Sequence, residues 1–197
     1  EQHKKLMDKF REITSDSGGG NLIVPIEFFH DNSQFYKISE LVNIETLNTS
    51  DIANLSWKEK SLILKTIISS VGILHRLKIV HGDLKPDNIL ISISETRKFV
   101  AKVIDMDSSY LADQAPEQDT LVFTPPYASP EIGKYIKSSQ DEDRKKIGCK
   151  SDIYALGIIF SQYVSGIMPT PKNTKYKECW SATLNNEEIE CHLVDSP

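Results

Sequence analysis

The amino-acid sequence predicts an α+β fold in which a mainly helical region follows a small β-rich one. Two apolar runs around a polar turn, residues 22–29 and 35–42, predict a β-hairpin. The long periodic run 57–77 predicts a buried helix. A polar loop then separates the apolar runs 77–80 and 89–93, which predict two further strands.

Composition and charge limit the classes of function. The chain has 197 residues, enough for one domain with a real core, and a net charge of −5. No basic stretch is interleaved with aromatic residues, which argues against nucleic acid as a partner. No apolar run approaches the roughly 20 residues of a membrane span, so we expect no membrane partner. Cys149, Cys179 and Cys191 fit neither a disulfide framework nor a zinc site, which predicts a reducing, cytoplasmic compartment.

The first segment reads as an amphipathic helix over residues 1–14, because Leu6, Met7, Phe10 and Ile13 recur at helical spacing. The first residues lack the apolar core of a signal peptide. They also look like the middle of an element, so we expect the protein to start further upstream. Residues 15–21 contain three consecutive glycines. They do not match G-x-G-x-x-G and they follow a helix, so a flexible connector is predicted rather than a phosphate-binding loop.

Helical periodicity assigns the inward face of the 57–77 helix. The residues expected to face the core are Leu62, Ile63, Ile67, Ile68, Val71, Leu74 and Leu77. The next patterns predict a short polar helix, a strand, an irregular acidic stretch and a second buried helix, at residues 44–55, 100–104, 108–124 and 153–164. Ser151 is a candidate cap for the last helix. Beyond Gly166 no pattern emerges until residues 189–194.

The polar loop 81–88, H-G-D-L-K-P-D-N, concentrates an acid, a base and an amide. Pro and Asp are common turn residues, so an ordinary surface turn is the plain alternative. The spacing H-x-D-x-x-x-x-N nevertheless matches the catalytic loop of protein kinases, and the segment resembles that superfamily. The order of elements resembles a protein kinase entered at the regulatory helix of its small lobe and left partway through its large lobe.

This resemblance implies site residues and cofactors. Asp83 would be the catalytic aspartate that takes or orients the proton of the acceptor hydroxyl. Lys85 would contact the γ-phosphate of ATP. Asn88 and Asp105, the latter at the end of a predicted strand, would bind Mg²⁺, which prefers oxygen ligands.

The resemblance also places the adenine site and the lobe boundary. Glu40-Leu41-Val42 resembles the hinge between lobes, with the backbone of Glu40 and Val42 facing the adenine, and Leu90 would also line the nucleotide site. Ser39 falls at the gatekeeper position. Residues 1–42 would then be the remainder of the small lobe with the hinge, and residues 43–197 the large lobe.

Two departures from the family pattern leave alternatives open. Gly82 replaces the Arg of H-R-D, which in the family often receives an activating phosphate. Met106 and Asp107 replace the Phe and Gly of D-F-G; Met can fill the apolar slot of Phe. These changes raise the alternative of a pseudokinase that acts by binding a partner. Residues 81–107 also resemble the aminoglycoside and choline phosphotransferases, which share the kinase-like fold.

Later segments favour the protein kinases. Residues 124–131, T-P-P-Y-A-S-P-E, resemble the kinase segment that ends in Ala-Pro-Glu, with Ser129 in place of Ala. In serine/threonine kinases, the residue corresponding to Thr124 lies beside the catalytic aspartate, and the segment receives the peptide substrate. Residues 151–157, S-D-I-Y-A-L-G, resemble the start of the central buried helix, whose aspartate, here Asp152, braces the catalytic loop.

Residues 105–131 would therefore be the activation segment, with Ser108, Ser109 and Thr120 as candidate phosphorylation sites. The charged stretch 134–150 is expected to be a solvated loop. The sequence thus predicts a serine/threonine protein kinase domain that uses ATP and Mg²⁺ on protein substrates. The Gly-rich loop and the phosphate-binding Lys of the third strand are not found in it.

Overall fold

The structure, a computed structural model, describes residues 2–15, 21–32, 34–42, 46–93 and 99–192. Within those ranges there are seven helices and eight short strands. The helices are α1 (Gln2–Ser15), α2 (Thr49–Ala53), α3 (Trp57–Arg76), α4 (Pro130–Ser138), α5 (Asp141–Arg144), α6 (Cys149–Ser165) and α7 (Cys179–Thr183). The strands are β1 (Glu27–Asp31), β2 (Gln34–Ile38), β3 (Ile79–Val80), β4 (Ile89–Ile93), β5 (Phe99–Val103), β6 (Tyr110–Leu111), β7 (Thr170–Pro171) and β8 (Ile189–Glu190).

Helix α3 is a central packing element of the larger part of the chain. It begins at a capping box in which Ser56 and Glu59 bond each other's backbone N–H groups. Its buried apolar side chains are Ile63, Ile67, Val71 and Leu74. The expectation that Leu62 and Ile68 face inward is wrong, because they are 48% and 52% exposed. The helix buries one stripe, and seven apolar residues are more than that stripe can hold.

The predicted hairpin is present but shorter at both open ends, since β1 begins at Glu27 and β2 ends at Ile38. β1 and β2 pair antiparallel, with Glu27 opposite Ile38. The first part of the predicted strand 22–29 lies elsewhere: Leu22 bridges Val103 in parallel, and the N–H of Ile23 donates to the carbonyl of Val103 at 2.9 Å. Pro25, which has no N–H, lies between the two pairings and separates them.

Two antiparallel strand pairs frame the loop 81–88. β3 pairs with β6 and β4 pairs with β5, so the loop leaves one pair and enters the other. The predicted strand 77–80 is reduced to the two residues of β3, while Leu77 forms the C-cap of α3. The N–H of Leu47 donates to the carbonyl of Ile91 at 2.7 Å, which holds the segment before α2 against β4. The loop is therefore fixed at both ends by paired backbone.

The second buried helix starts earlier than predicted. α6 begins at Cys149, with Gly148 at the N-cap position, so Ser151 lies inside the first turn. The expectation that Ser151 caps the helix is wrong; its side chain is buried and its hydroxyl oxygen has no hydrogen-bond partner. The 3.6-residue pattern could not show this start, because the first turn of α6 contains polar residues that the fold buries.

The stretch 134–150 is not the solvated loop that was expected. It contains the end of α4, all of α5 and the start of α6. Asp143 is buried, accepts a hydrogen bond from Ser138 and forms ion pairs with Lys134 and Lys146. These contacts lower the pKa of Asp143 to about 2, with the hydrogen bond from Lys146 as the largest cause. Residues 167–192 likewise contain β7, α7 and β8.

The buried residues form two apolar clusters. The larger one joins α1, α3, α6 and the β4–β5 pair, with Phe10, Ile67 and Ile159 among its most buried members. The smaller one joins β3 and β6 to α4 and includes Val80, Ile132 and Ile147. Among the helices described, none combines the length and apolar character needed to cross a membrane. The predicted boundary between residues 42 and 43 adjoins residues 43–45, outside the described ranges, and stays a prediction.

Candidate active site

The loop 81–88 is anchored by one buried carboxylate on α6. Asp152 accepts hydrogen bonds from the backbone N–H of His81 at 2.9 Å and of Gly82 at 3.1 Å. Its Oδ2 atom also lies 2.8 Å from Nε2 of His75 on α3. This geometry matches the predicted brace. The motif predicts the role of Asp152, whereas nothing in the sequence predicts that His75 contacts it.

The backbone conformation and close packing at position 82 require glycine. Its φ of +87° lies in the region that side chains disfavour, and a Cβ there would lie 2.4 Å from the carbonyl oxygen of Ser108. Ser109, one residue further, donates its hydroxyl to the carbonyl of His81 at 3.2 Å. The turn after β5 therefore packs closely against the loop, and the glycine permits that approach.

Three predicted residues meet at the centre of the site. The Oδ1 atom of Asp83 accepts the hydroxyl of Thr124 at 2.7 Å, and its Oδ2 atom accepts Nζ of Lys85 at 2.7 Å. Lys85 also reaches the Thr124 hydroxyl at 3.2 Å. The hydrogen bond with Asp83 raises the pKa of Lys85, which therefore stays protonated at neutral pH. The Asp83 side chain is buried, so its carboxylate faces mainly the other groups of this polar cluster.

The two predicted metal ligands lie at the ends of β4 and β5. The side-chain nitrogen of Asn88 donates to the carbonyl of Asp83 at 2.8 Å, which leaves its amide oxygen as the atom able to meet a cation. The N–H of Ile104 donates to the carbonyl of Asn88 at 3.0 Å, so Asp105 is held one residue away. A carboxylate and an amide oxygen form the kind of partial oxygen set that Mg²⁺ accepts together with water and phosphate. The residues present therefore fit the metal that the resemblance implies.

The turn that follows β5 explains the two departures from D-F-G. Asp105 adopts the left-handed conformation, with φ 63°, and precedes a short 3₁₀ turn. Met106 is buried in the larger apolar cluster, as expected for a side chain that replaces Phe. Asp107 is bonded to Nζ of Lys37, which reaches across from β2. Sequence reasoning missed Lys37, because one lysine in a half-exposed hairpin gives no signal of its own.

A cleft of about 330 Å³ lies between the hairpin and the strands β4 and β5. It brings together all the predicted nucleotide-site residues outside the catalytic cluster. Its lining includes Ser39, Glu40, Val42, Asn88, Leu90 and Asp105. The carboxylate of Glu40 forms an ion pair with Lys102 on β5, with an N–O distance of 3.0 Å.

The acidic segment after β6 is fixed by contacts that the sequence did not reveal. Arg144 on α5 donates to the carbonyl of Ala115 and forms an ion pair with Glu117 at 2.7 Å. Gln118 donates its side-chain amide to the carbonyl of Ile136 on α4 at 3.1 Å. Thr120, one of the candidate phosphorylation sites, is exposed. Its hydroxyl bonds the carbonyl of Glu117.

Comparison with known proteins agrees with this fold and site. A sequence model of the protein kinase domain matches residues 2–194. Two relatives named calcium-dependent protein kinase 4, from Plasmodium berghei (strain Anka) and Plasmodium falciparum (isolate 3D7), are each 27% identical over 158 residues, which cover 79% of this chain and 28% of theirs. A Dictyostelium discoideum protein described as a probable myosin light chain kinase is 26% identical over 159 residues, covering 80% of this chain and 38% of its own.

The chain belongs to the protein kinase domain family. This confirms the family resemblance and the α+β, protein-kinase-like fold class, and it does not favour the small-molecule phosphotransferases. The chain spans between about a quarter and two fifths of the length of these curated relatives.

Proposed function

We propose that this chain carries out serine/threonine protein kinase chemistry, the transfer of the γ-phosphate of ATP to a protein hydroxyl. The observation that carries the proposal is the cluster of Asp83, Lys85 and Thr124 beside a cleft that ends at Asn88 and Asp105. Phosphoryl transfer needs little covalent help from the protein. It needs positioned charges and an oriented acceptor, and the cluster supplies both.

The hydroxyl of Thr124 indicates how an acceptor would be oriented. Asp83 already accepts a hydrogen bond from this hydroxyl with an O–O distance of 2.7 Å, which is within the reach that a general base needs. In the reaction, the acceptor oxygen would form a bond to the γ-phosphorus while the bond to the bridging oxygen of ADP breaks. The hydroxyl proton would pass to Asp83. Lys85, positively charged at neutral pH, would lie beside the transferred group.

The metal end of the cleft would hold the phosphates. Mg²⁺, when bound, neutralises charge that develops on the phosphate oxygens. Asn88 and Asp105 would hold this ion, because they lie at the adjacent ends of the two paired strands β4 and β5. The backbone of Glu40 and Val42, with Leu90 opposite, would hold the adenine. Protein acceptors are supported by Thr124, since its segment both touches Asp83 and resembles the peptide-binding segment of protein kinases.

The test is transfer of labelled γ-phosphate by the full-length protein with Mg²⁺, offered a generic basic protein and itself as acceptors. Replacing Asp83 by Asn should lower the rate by about 10²–10⁴-fold, the usual contribution of a general base. Asp113→Asn, which changes an exposed carboxylate outside the cluster, should leave the rate unchanged.

Each outcome of this test separates one candidate function from another. Label on serine or threonine that is lost in Asp83→Asn supports the proposal. Label on tyrosine alone would contradict the predicted specificity. Nucleotide binding without transfer to any protein would contradict the kinase activity. Phosphorylation of small hydroxylated molecules in preference to proteins would indicate a small-molecule phosphotransferase.

A further inference from the structure

We propose that Lys37 is a phosphate-binding residue of the nucleotide cleft, an inference that rests on the proposed function. Lys37 lies on β2, opposite Phe28 in the hairpin register, and its side chain is 30% exposed. Among the described residues that line the cleft, Lys37 is the single cation, while Glu40 and Asp105 are acidic. A triphosphate entering this cleft needs a positive partner on the hairpin side, and Lys37 is placed to be that partner.

The position of the Lys37 ammonium supports a contact with phosphate. Its Nζ atom lies 3.9 Å from Oδ1 of Asp105, the predicted metal ligand. Both residues line the same cleft, so a phosphate held at the Asp105 end of the cleft would lie close to Nζ of Lys37. A small movement of the lysine side chain would bring the two into hydrogen-bonding distance.

Asp107 is an ion-pair partner of Lys37. The Asp107 carboxylate bonds Nζ of Lys37, and its side chain is 58% exposed. Ion pairs between partly exposed side chains contribute little free energy, so exchange of this carboxylate for a phosphate oxygen is easy. Lysine is also a compact charge with three donors, and it can hold a carboxylate and a phosphate at once. Asp107, which replaces the usual glycine, would thus hold the Lys37 ammonium until a phosphate oxygen displaces its carboxylate.

The other lysines near the site are engaged elsewhere. Lys102, on β5, pairs with Glu40 at 3.0 Å. Lys85 bonds Asp83 at 2.7 Å and belongs to the catalytic cluster. Neither lies among the residues that line the cleft. Lys37 therefore differs from both in facing the volume that the phosphates would occupy.

The test compares two probes on the full-length protein by calorimetry: adenosine, which has no phosphate, and the Mg²⁺ complex of a non-hydrolysable ATP analogue. Lys37→Met should weaken binding of the analogue by about tenfold, as expected for loss of one charge-assisted contact. Adenosine binding should change less than twofold and shows that the variant is folded. Lys37→Arg, which keeps the charge, should retain most of the affinity for the analogue.

Two controls separate a phosphate contact from other roles. Lys58→Met removes an exposed lysine of α3 and should leave both affinities unchanged. Asp107→Asn frees Lys37 and should keep or increase affinity for the analogue. If Asp107→Asn instead weakened it as much as Lys37→Met, the lysine would act only by holding Asp107, and the proposal would be overturned. An equal loss for adenosine and the analogue in Lys37→Met would overturn it as well.

Failure of the inference and failure of the proposed function give different results. If the unmodified protein binds the analogue and Lys37→Met binds it equally well, Lys37 has no phosphate role, while the kinase proposal stands. If the unmodified protein binds neither probe, both proposals fail together.

Discussion

Replacing Asp152 by alanine removes the carboxylate that anchors the loop 81–88 to α6. Asp152 is 2% exposed and accepts bonds from the N–H groups of His81 and Gly82, with His75 as a third partner. Water cannot readily replace it there, because His81 and Asp83, on either side of these groups, are buried. His75 is 17% exposed on its side chain and can turn to solvent. The cost of the substitution therefore comes mainly from the two backbone donors.

The magnitude follows from those two donors. A buried donor left without a partner costs about 1–3 kcal/mol, and bonds to charged groups lie toward the upper end. Removing the carboxylate also removes its own desolvation penalty, which offsets part of the loss. We expect Asp152→Ala to lower the free energy of unfolding by about 2–5 kcal/mol. For a domain of this size, that corresponds to a fall in Tm of roughly 5–15 °C.

The measurement is urea unfolding of the full-length protein, followed by two spectroscopic probes. Asp152→Asn keeps the shape but offers one acceptor oxygen to two donors, so its midpoint should fall between those of the unmodified protein and Asp152→Ala. Asp119→Ala changes an exposed carboxylate of the acidic segment and should change the free energy of unfolding by less than about 0.5 kcal/mol. The reasoning is refuted if Asp152→Ala unfolds at the same midpoint as Asp119→Ala with an unchanged slope.

Three further substitutions test the packing, the close approach at the loop and the contacts of the acidic segment. Ile67→Ala should destabilise the protein by about 2–5 kcal/mol in thermal melts, whereas Ile68→Ala, one residue along α3 but 52% exposed, should cost well under half of that. Gly82→Ala should reduce stability because its Cβ would meet a backbone carbonyl at 2.4 Å, while Gly157→Ala, with no atom within 4 Å, should be neutral or stabilising by up to about 1 kcal/mol. Arg144→Ala should speed hydrogen exchange in residues 115–121 without changing that of the loop 81–88, and equal exchange in both proteins would show that its ion pair does not hold the segment.

The sequence was informative where chemistry and spacing are local. The order of residues in 81–88 placed Asp83, Lys85 and Asn88 on one short loop, because two flanking apolar runs had to become strands. Asp105 could be placed for the same reason, as the polar residue that ends the next strand. The long helix α3 was predictable because its capping box and its apolar period agree with each other.

Errors arose where a segment's fate depends on what packs against it. Leu62 and Ile68 are as apolar as Ile63 and Ile67, and only the position of α6 and the β4–β5 pair decides which of them is covered. The start of α6 was missed since its first turn is polar yet buried. The mixed charges of the stretch 134–150 predict a solvated loop, but ion pairs between buried Asp143 and lysines stabilise helices there.

The sequence by itself predicted the family, the fold class and which residues share the loop 81–88, because these depend on residue types at fixed short spacings along the chain. The family resemblance also predicted that Thr124 lies beside Asp83, as observed. Tertiary structure alone decided that His75 joins Asp152 and that Lys37 reaches Asp107. The partners in these two contacts are separated by 77 and 70 positions in the chain. No local pattern encodes such contacts, since they form only when buried apolar surfaces bring distant elements together.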